Sequence, residues 1–201
     1  MIPFLVLAAA YLIGGIPFGY LLVRLRSGED VRSMGSGNIG ATNVLRTTGR
    51  ALGIATLLLD ITKGAFAVWL ADRYLHGSVR WMAITALVVM AGHAFPIFLK
   101  FRGGKAVASF IGAFLYLTPT PLLAVLVVFV VTVALTRYIS LGSVLAAGFF
   151  PFAVWLIDHP PHIIVFASAV AGLFIVYRHR SNLERIRAGN ENLLSLKGKR
   201  R

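Results

Sequence analysis

The sequence predicts an all-α membrane protein of about seven transmembrane helices, with its N-terminus outside and its C-terminus cytoplasmic. Three observations predict it. Of the 201 residues, 58% are hydrophobic and 13% charged, and the mean hydropathy is +0.81. A soluble globular domain carries about 45–50% apolar and about 25% charged residues. The apolar residues collect in stretches close to the roughly 20 needed to cross the hydrocarbon core. Finally, the charge is lopsided, 20 Lys and Arg against 7 Asp and Glu, and most of the basic residues fall in alternate gaps between those stretches. A nucleic-acid binder can share that balance but not the apolar excess, so no nucleic acid is expected as a partner. There is no cysteine, which excludes disulfides, thiolate metal sites and a cysteine nucleophile.

The chain reads as a single multispanning domain with spans at about 1–23, 51–71, 81–99, 106–117, 120–136, 141–157 and 161–178, followed by a basic cytoplasmic tail, 179–201. The first has no charge before Arg24. A signal peptide carries basic residues ahead of a shorter apolar region, so 1–23 is read as a retained span. The stretch from Ala106 to Thr136 is too long for one crossing and short for two. Thr118-Pro119-Thr120-Pro121 lies near its middle, where proline removes a helix hydrogen bond and disfavours helix before it. That places a turn between a short span and a longer one. Charge parity agrees. Arg24, Arg26, Arg32, Arg46 and Arg50 fall in the first basic segment, Lys100, Arg102 and Lys105 in the second, and Arg137 after the proline hairpin. Arg178, Arg180, Arg185, Arg187, Lys197, Lys199, Arg200 and Arg201 follow the last span. Seven spans put all of these on the cytoplasmic face, as the positive-inside rule requires, whereas six would send the tail outside.

Three of these basic segments differ from ordinary linkers. Gly35 to Arg46 reads GSGNIGATNVLR. Its glycines free backbone N–H groups, Ser36, Asn38 and Thr42 add small polar side chains beside Gly37, and a helix follows. That suits a phosphate cradle, with Arg46 as a charged fork. The alternative is a Gly/Ser/Asn turn followed by a snorkelling arginine. No strand precedes it and no Gly-Lys-Ser/Thr ends it, so it is neither a Rossmann fingerprint nor a Walker A loop. The second segment, GHAFPIFLKFRGGKAVA, sets Gly103, Gly104 and Lys105 before a helix start, with His93 near the end of the third span. Lys105 is either an anion contact or an interfacial snorkelling lysine. His93 is either a site residue or a helix-end histidine bonded to backbone.

The third segment, YRHRSNLERIRAGNENLLSLKGKRR, sets His179 and Asn182 three apart, on one face if the helix continues. Beside Arg178 and Arg180 a histidine stays neutral, as a base or hydrogen-bond donor must. The alternative is a basic tail drawn to anionic lipid, which suits Lys197 to Arg201 better than His179 and Asn182. Inside the second span, Asp60 and Lys63 are costly unless paired or facing a wet cavity. At i and i+3 they read first as a structural pair, second as a polar floor to the site. Ser143, one turn into the sixth span, is a helix N-terminal residue or a ligand contact. The loops are rich in anion donors and offer only Glu29, Asp30, Glu184 and Glu191 as acids, with dispersed histidines. That suits phosphate-bearing substrates and neither a metal centre nor a bound cofactor.

These three segments, in this order, resemble the signature motifs of the bacterial acyl-phosphate:glycerol-3-phosphate acyltransferases. Ile16-Pro17-Phe18-Gly19 and Leu59-Asp60…Lys63-Gly64 resemble that family as well, and the similarity runs from about residue 11 to about residue 191. The resemblance implies an integral membrane enzyme of the bacterial inner membrane with its site on the cytoplasmic face. It implies transfer of a fatty acyl group from acyl phosphate to glycerol 3-phosphate, giving lysophosphatidate and inorganic phosphate. It assigns Ser36, Arg46, His179 and Asn182 to catalysis, Gly103, Gly104 and Lys105 to glycerol-phosphate binding, and Glu191 to a structural role. Implied partners are the two substrates, membrane lipid and the enzyme that makes acyl phosphate, and the chain is expected to be a monomer. Two positions depart from the family pattern: Ala106 stands where glycine is usual after Gly-Gly-Lys, and Leu193 where a lysine is common. The His-x4-Asp signature of thioester-using acyltransferases is absent. Acyl phosphate already has a good leaving group, so positioning and preorganised donors are the main effects required. The base is left open between His179 and a substrate phosphate oxygen. The acyl chain calls for a groove open to lipid, which no residue pattern locates. A transporter or anion channel, the main rival, predicts polar residues through several spans and often a repeat, whereas beyond Asp60 and Lys63 the spans are nearly all aliphatic, aromatic or small. A structural membrane subunit leaves the glycine-rich motifs without a purpose.

Overall fold

The structure, a computed structural model, describes residues 1–194, and all of its regular secondary structure there is helical. Of the predicted tail, Lys197, Lys199, Arg200 and Arg201 lie outside the described residues. Helices α1 (Ile2–Gly15) and α2 (Phe18–Ser27) form one interrupted apolar span. The break falls at Ile16-Pro17, where proline lacks the N–H that would continue the ladder. Then follow α3 (Ala41–Thr48), α4 (Arg50–Tyr74), α5 (Val79–Ala94), a one-turn 3-10 helix at Ile97–Leu99, and α6 (Val107–Leu117). The remaining helices are α7 (Pro119–Thr136), α8 (Ile139–Ile157), α9 (His162–Arg178) and α10 (Arg180–Arg187).

The helix positions follow the apolar stretches, and the proline turn between α6 and α7 sits at Thr118. Five helical stretches are long and apolar enough to cross a bilayer, six if α9 and α10 count as one span bent by 51°. The remaining apolar helix, α6, has 11 residues. At 1.5 Å per residue it is about 16 Å long, against about 27 Å for α7. The loop feeding α6 therefore enters the bundle. Irregular backbone at that depth requires internal hydrogen bonds, and it has them. Gly103 N donates to Ala94 O at 3.2 Å and Gly104 N to His93 O at 3.1 Å. The Arg178 guanidinium donates to Gly104 O at 2.8 Å and rests on the Phe95 ring, 5.2 Å from its centroid.

The core lies among α4 to α9. Phe110, Phe114 and Phe150 form an aromatic triad with centroids 4.9–5.1 Å apart, all three buried. Helices α4 and α6 cross at Gly64 and Gly112, where a Cβ on either would collide with the other helix's backbone. That closeness places Asp60 and Lys63 of α4 beside the end of α5. Lys63 Nζ sits 2.7 Å from Asp60 Oδ1 and donates at 2.8 Å to the Ile16 carbonyl, an acceptor at the end of α1. The pair thus ties α4 to the break in the first span.

Ala106 accounts for one departure from the family pattern. It is fully buried with φ 62°, ψ 8°, a left-handed conformation natural to glycine and costing an L-residue roughly 1–2 kcal/mol. Its methyl packs in the main core cluster, which offsets part of that cost.

Candidate active site

One cavity of about 570 Å³ collects most of the residues singled out in the sequence: Ser36, Asn38, Thr42, Arg46, Asp60, His93, Lys105, Ser143, His179, Asn182 and Glu191 all line it. Gly37, Lys63, Gly103 and Gly104 do not. Segments nearly 150 residues apart thus meet at one polar end.

The first loop is built around α3. Ala41 and Thr42, the first residues of that helix, line the cavity, so its open N-terminus faces a potential anion. The loop's other amides are mostly engaged. Ser36 N donates to Asn43 Oδ1, Gly37 N to Met34 O and Gly40 N to Asn38 Oδ1. The guanidinium of Arg46 is half-buried at the rim and donates to Asn192 O at 3.1 Å.

In the second loop, the glycine amides offered by the sequence as anion donors already bond Ala94 and His93. The physical role of Gly104 is contact: a Cβ there would strike His93 Nε2. His93 is buried, with Nδ1 3.2 Å from Ser109 Oγ and 3.7 Å from Asp60 Oδ1. Its ring is therefore held by side chains, and it forms the bed on which the glycines lie. Lys105 alone reaches forward, donating to Asn182 Oδ1. Burial lowers the Lys105 pKa to about 8, despite the opposing pull of Glu191.

In the third loop the helix breaks at His179 rather than continuing. His179 Nδ1 lies 2.8 Å from Ile175 O. A carbonyl can only accept, so Nδ1 carries the proton and Nε2 keeps its lone pair. Burial, then the nearby Lys105 ammonium, push this histidine down to about 4, so it is neutral near pH 7. Asn182 is held from both sides, accepting from Lys105 and donating to Glu191 Oε1 at 2.6 Å. Glu191 also receives Ser140 Oγ at 2.9 Å and Arg185 Nε at 2.7 Å. Burial pulls that carboxyl upward, but the bonds from Asn182, Ser140 and Arg185 outweigh it and hold it below the usual range. Ser143 back-bonds to Ile139 O at 2.9 Å while also lining the cavity.

Beyond this end the cavity turns apolar. Ile54, Leu57 and Ile61 of α4, Phe110 and Ile111 of α6, Leu122, Val125, Leu126, Phe129 and Val130 of α7, and Ala146 and Ala147 of α8 line it. From Val130 to Leu122 along α7 the apolar lining runs about 12 Å. Ile54 and Val130 on its walls are exposed at 52% and 61%, so the groove opens sideways on the helical surface. This groove is the part that the sequence left unlocated.

Sequence reasoning also passed over Asn43, Ser140, Arg185 and Asn192. Asn43 is the one with a readable signal, since it is an amide on the apolar face of an amphipathic helix. No group of three or more His, Asp or Glu side chains is arranged to hold a metal among the described residues.

Comparison with known proteins agrees with this geometry. The chain matches the glycerol-3-phosphate acyltransferase family over residues 4–189. It is 45% identical over 187 residues to a glycerol-3-phosphate acyltransferase of Desulforamulus reducens, covering 93% of this chain and 92% of the relative. To that of Geobacter sulfurreducens it is 47% identical over 185 residues, covering 92% and 94%. Among solved structures it resembles PlsY (YgiH), described as an integral membrane glycerol 3-phosphate acyltransferase. The glycerol 3-phosphate form gives a TM-score of 0.90 at 33% identity, covering 96% of each chain. The lysophosphatidic acid form gives 0.87 at 31%, covering 96% and 95%.

Proposed function

The chain belongs to the glycerol-3-phosphate acyltransferase family, and from that premise we propose that it transfers a fatty acyl group from acyl phosphate to glycerol 3-phosphate, forming lysophosphatidate and inorganic phosphate. The observation that carries the proposal is the single cavity with a cationic, donor-rich end continuous with an apolar groove that follows α7 for about 12 Å. The polar end suits phosphate groups and the groove suits an acyl chain reached from the bilayer. The two PlsY forms, one with the acceptor and one with the product, support the same substrate and product.

In this reading Ser36, Arg46, Lys105 and the first turn of α3 hold the phosphates, while Asn182 donates to the developing oxyanion. Two anions repel in water, and fixed cations at the site remove that obstacle before the chemistry begins. The leaving phosphate needs little acid assistance. The glycerol hydroxyl's proton goes to Nε2 of neutral His179 or to a substrate phosphate oxygen. Glu191 stays ionised and orients Asn182 and Arg185, a structural part.

We place the site at the cytoplasmic face of the bacterial inner membrane, on a monomer with seven spans, its N-terminus outside. The concentration of Arg46, Arg137, Arg185 and Lys105 around the polar end supports that orientation. The enzyme that makes acyl phosphate is a natural partner, because its product is a reactive amphiphile.

The test supplies purified protein with palmitoyl phosphate and glycerol 3-phosphate and follows phosphate release. Failure to exceed a Ser36→Ala control ends the acyl-transfer reading, and equal use of palmitoyl-CoA ends the donor assignment. Since the chain has no cysteine, Ser181→Cys gives a single reporter. Labelling by an external impermeant reagent in intact cells would overturn the topology.

A further inference from the structure

Ser36 and Arg46 stand ten positions apart, on a loop and on the helix that follows it. Ser36 is exposed, and its own loop is local in its bonding: Gly37 N returns to Met34 O, and Gly40 N to Asn38 Oδ1. The link between this loop and α3 runs through one buried side chain, Asn43, which is 2% exposed and one helical turn before Arg46. Its Oδ1 accepts from Ser36 N at 2.9 Å. Its Nδ2 donates to Asn38 O at 2.8 Å, Met34 O at 3.0 Å and Val31 O at 3.3 Å. The amide thus bonds the loop on both sides of Ser36, and both its acceptor and its donors are in use.

We propose that Asn43 is a positioning residue: it fixes Ser36 against Arg46 so that both engage one substrate phosphate together. The proposal rests on the reading of Ser36 and Arg46 given above. Only an amide supplies an acceptor and two donors from one planar group. Aspartate at this position would turn an oxygen toward three carbonyls, and leucine, though similar in volume, would take from Ser36 N and Asn38 O their bonds to Asn43. Gly35 shows how close the fit is. It has φ +55°, and a Cβ there would strike Asn43 Oδ1. Gly35→Ala therefore displaces the loop while Asn43 itself remains, giving a second, independent route to the same disturbance.

The experiment measures phosphate release for Asn43→Ala and Gly35→Ala, alone and each combined with Ser36→Ala, in protein melting above the assay temperature. Each single variant is expected to lose about 10²-fold in kcat/KM, the scale of a displacement near 1 Å. Each double variant is expected to be no slower than Ser36→Ala, because a residue acting through Ser36 has nothing left to position. Losses that multiply overturn the proposal, as does either single variant working at the wild-type rate. If Asn43→Ala does not fold, Gly35→Ala decides alone.

Where Ser36→Ala turns over too slowly to measure, Ser36→Cys supplies the only thiol in the chain. Inorganic phosphate is expected to slow its alkylation by iodoacetamide, and Asn43→Ala or Gly35→Ala to remove that protection. Protection retained in both overturns the proposal. Equal rates for wild type and Ser36→Ala would remove the underlying assignment of Ser36 instead, a different failure visible before any Asn43 variant is made.

Discussion

The Lys105 ammonium gives the sharpest test of the phosphate end. Burial lowers its pKa to about 8 in the empty site. At pH 7 it is then roughly nine-tenths charged and at pH 9 roughly one-tenth. The second proton of a phosphate monoester leaves near pH 6, so the substrate is fully ionised throughout this range. If the charged form of Lys105 binds glycerol 3-phosphate, KM for that substrate should rise about tenfold between pH 7 and pH 9. Phosphate release at saturating palmitoyl phosphate, with an enzyme-free blank at each pH, measures it. Lys105→Arg stays charged across the range, so its KM, whatever its starting value, should lack the alkaline rise. Loss of structure is separable by sign. The unfolded chain keeps this proton to about pH 10.5, whereas the folded site releases it near 8. Between those values the unfolded state binds more protons, so this group makes the fold more stable as pH rises. Binding therefore weakens while the Lys105 contribution to stability grows. A flat KM from pH 7 to 9, or an equal rise in Lys105→Arg, would refute the reasoning.

Gly104→Ala puts a methyl against His93, and overpacking of about 1–3 kcal/mol should raise the glycerol 3-phosphate KM by roughly 5- to 150-fold with a smaller change in kcat. His179 binds its proton near pH 4 when folded and near 6.5 when free. The unfolded state therefore binds more protons between those values, and about 3 kcal/mol of stability is lost on acidification from pH 7 to 4. In detergent, the melting temperature should fall over that window, and less steeply in His179→Gln. Val125, 3% exposed and lining the groove, becomes an obstacle as tryptophan. Val125→Trp should lower the preference for palmitoyl over decanoyl phosphate by about tenfold or more, measured as the ratio of kcat/KM values. An unchanged ratio would mean that the chain lies elsewhere.

The apolar helices were legible because hydrocarbon tolerates few backbone solutions, so an apolar run of the right length is nearly a structural statement. The turn at Thr118 was legible because proline acts locally, whereas the break at Ile16-Pro17 went unread inside the predicted span 1–23, although its proline acts by the same rule. The depth of the second motif was not. Nothing in Gly103-Gly104-Lys105 says that its amides bond Ala94 and His93, because that depends on where α5 ends beside α4. The sequence made these glycines donors, and the structure makes them thin. His93 shows the opposite case. Its type was visible, but its partners, Ser109 and Asp60, come from two other helices. The groove was invisible for a simpler reason. Its lining is leucine, valine, isoleucine, alanine and phenylalanine, the same residues that face lipid or core elsewhere in the chain. Only their arrangement, with α4 and α7 held apart across α6, distinguishes a groove from a packed interface.

Two buried acids stand at a site proposed for two anions, and their partners explain how that is tolerated. Asp60 is 2.7 Å from Lys63, which also satisfies a backbone carbonyl, so the pair brings no net charge to the cavity floor. Glu191 is different, because its principal cation, Arg185, sits toward the rim, with 37% of its side chain exposed. What holds the carboxylate there is a set of three donors from two elements: Ser140 of α8, and Asn182 and Arg185 of α10. Each donor thereby acquires a fixed direction. Asn182 gives one amide hydrogen to Glu191, and its oxygen receives Lys105, which leaves the second amide hydrogen as the free donor. Without the carboxylate the amide can rotate, and both the direction of that hydrogen and the anchor of Lys105 are lost together. The acid is therefore repulsive to substrate only in isolation. Within its network it sets the direction of two groups the proposed reaction uses, with one negative charge kept neutralised behind them.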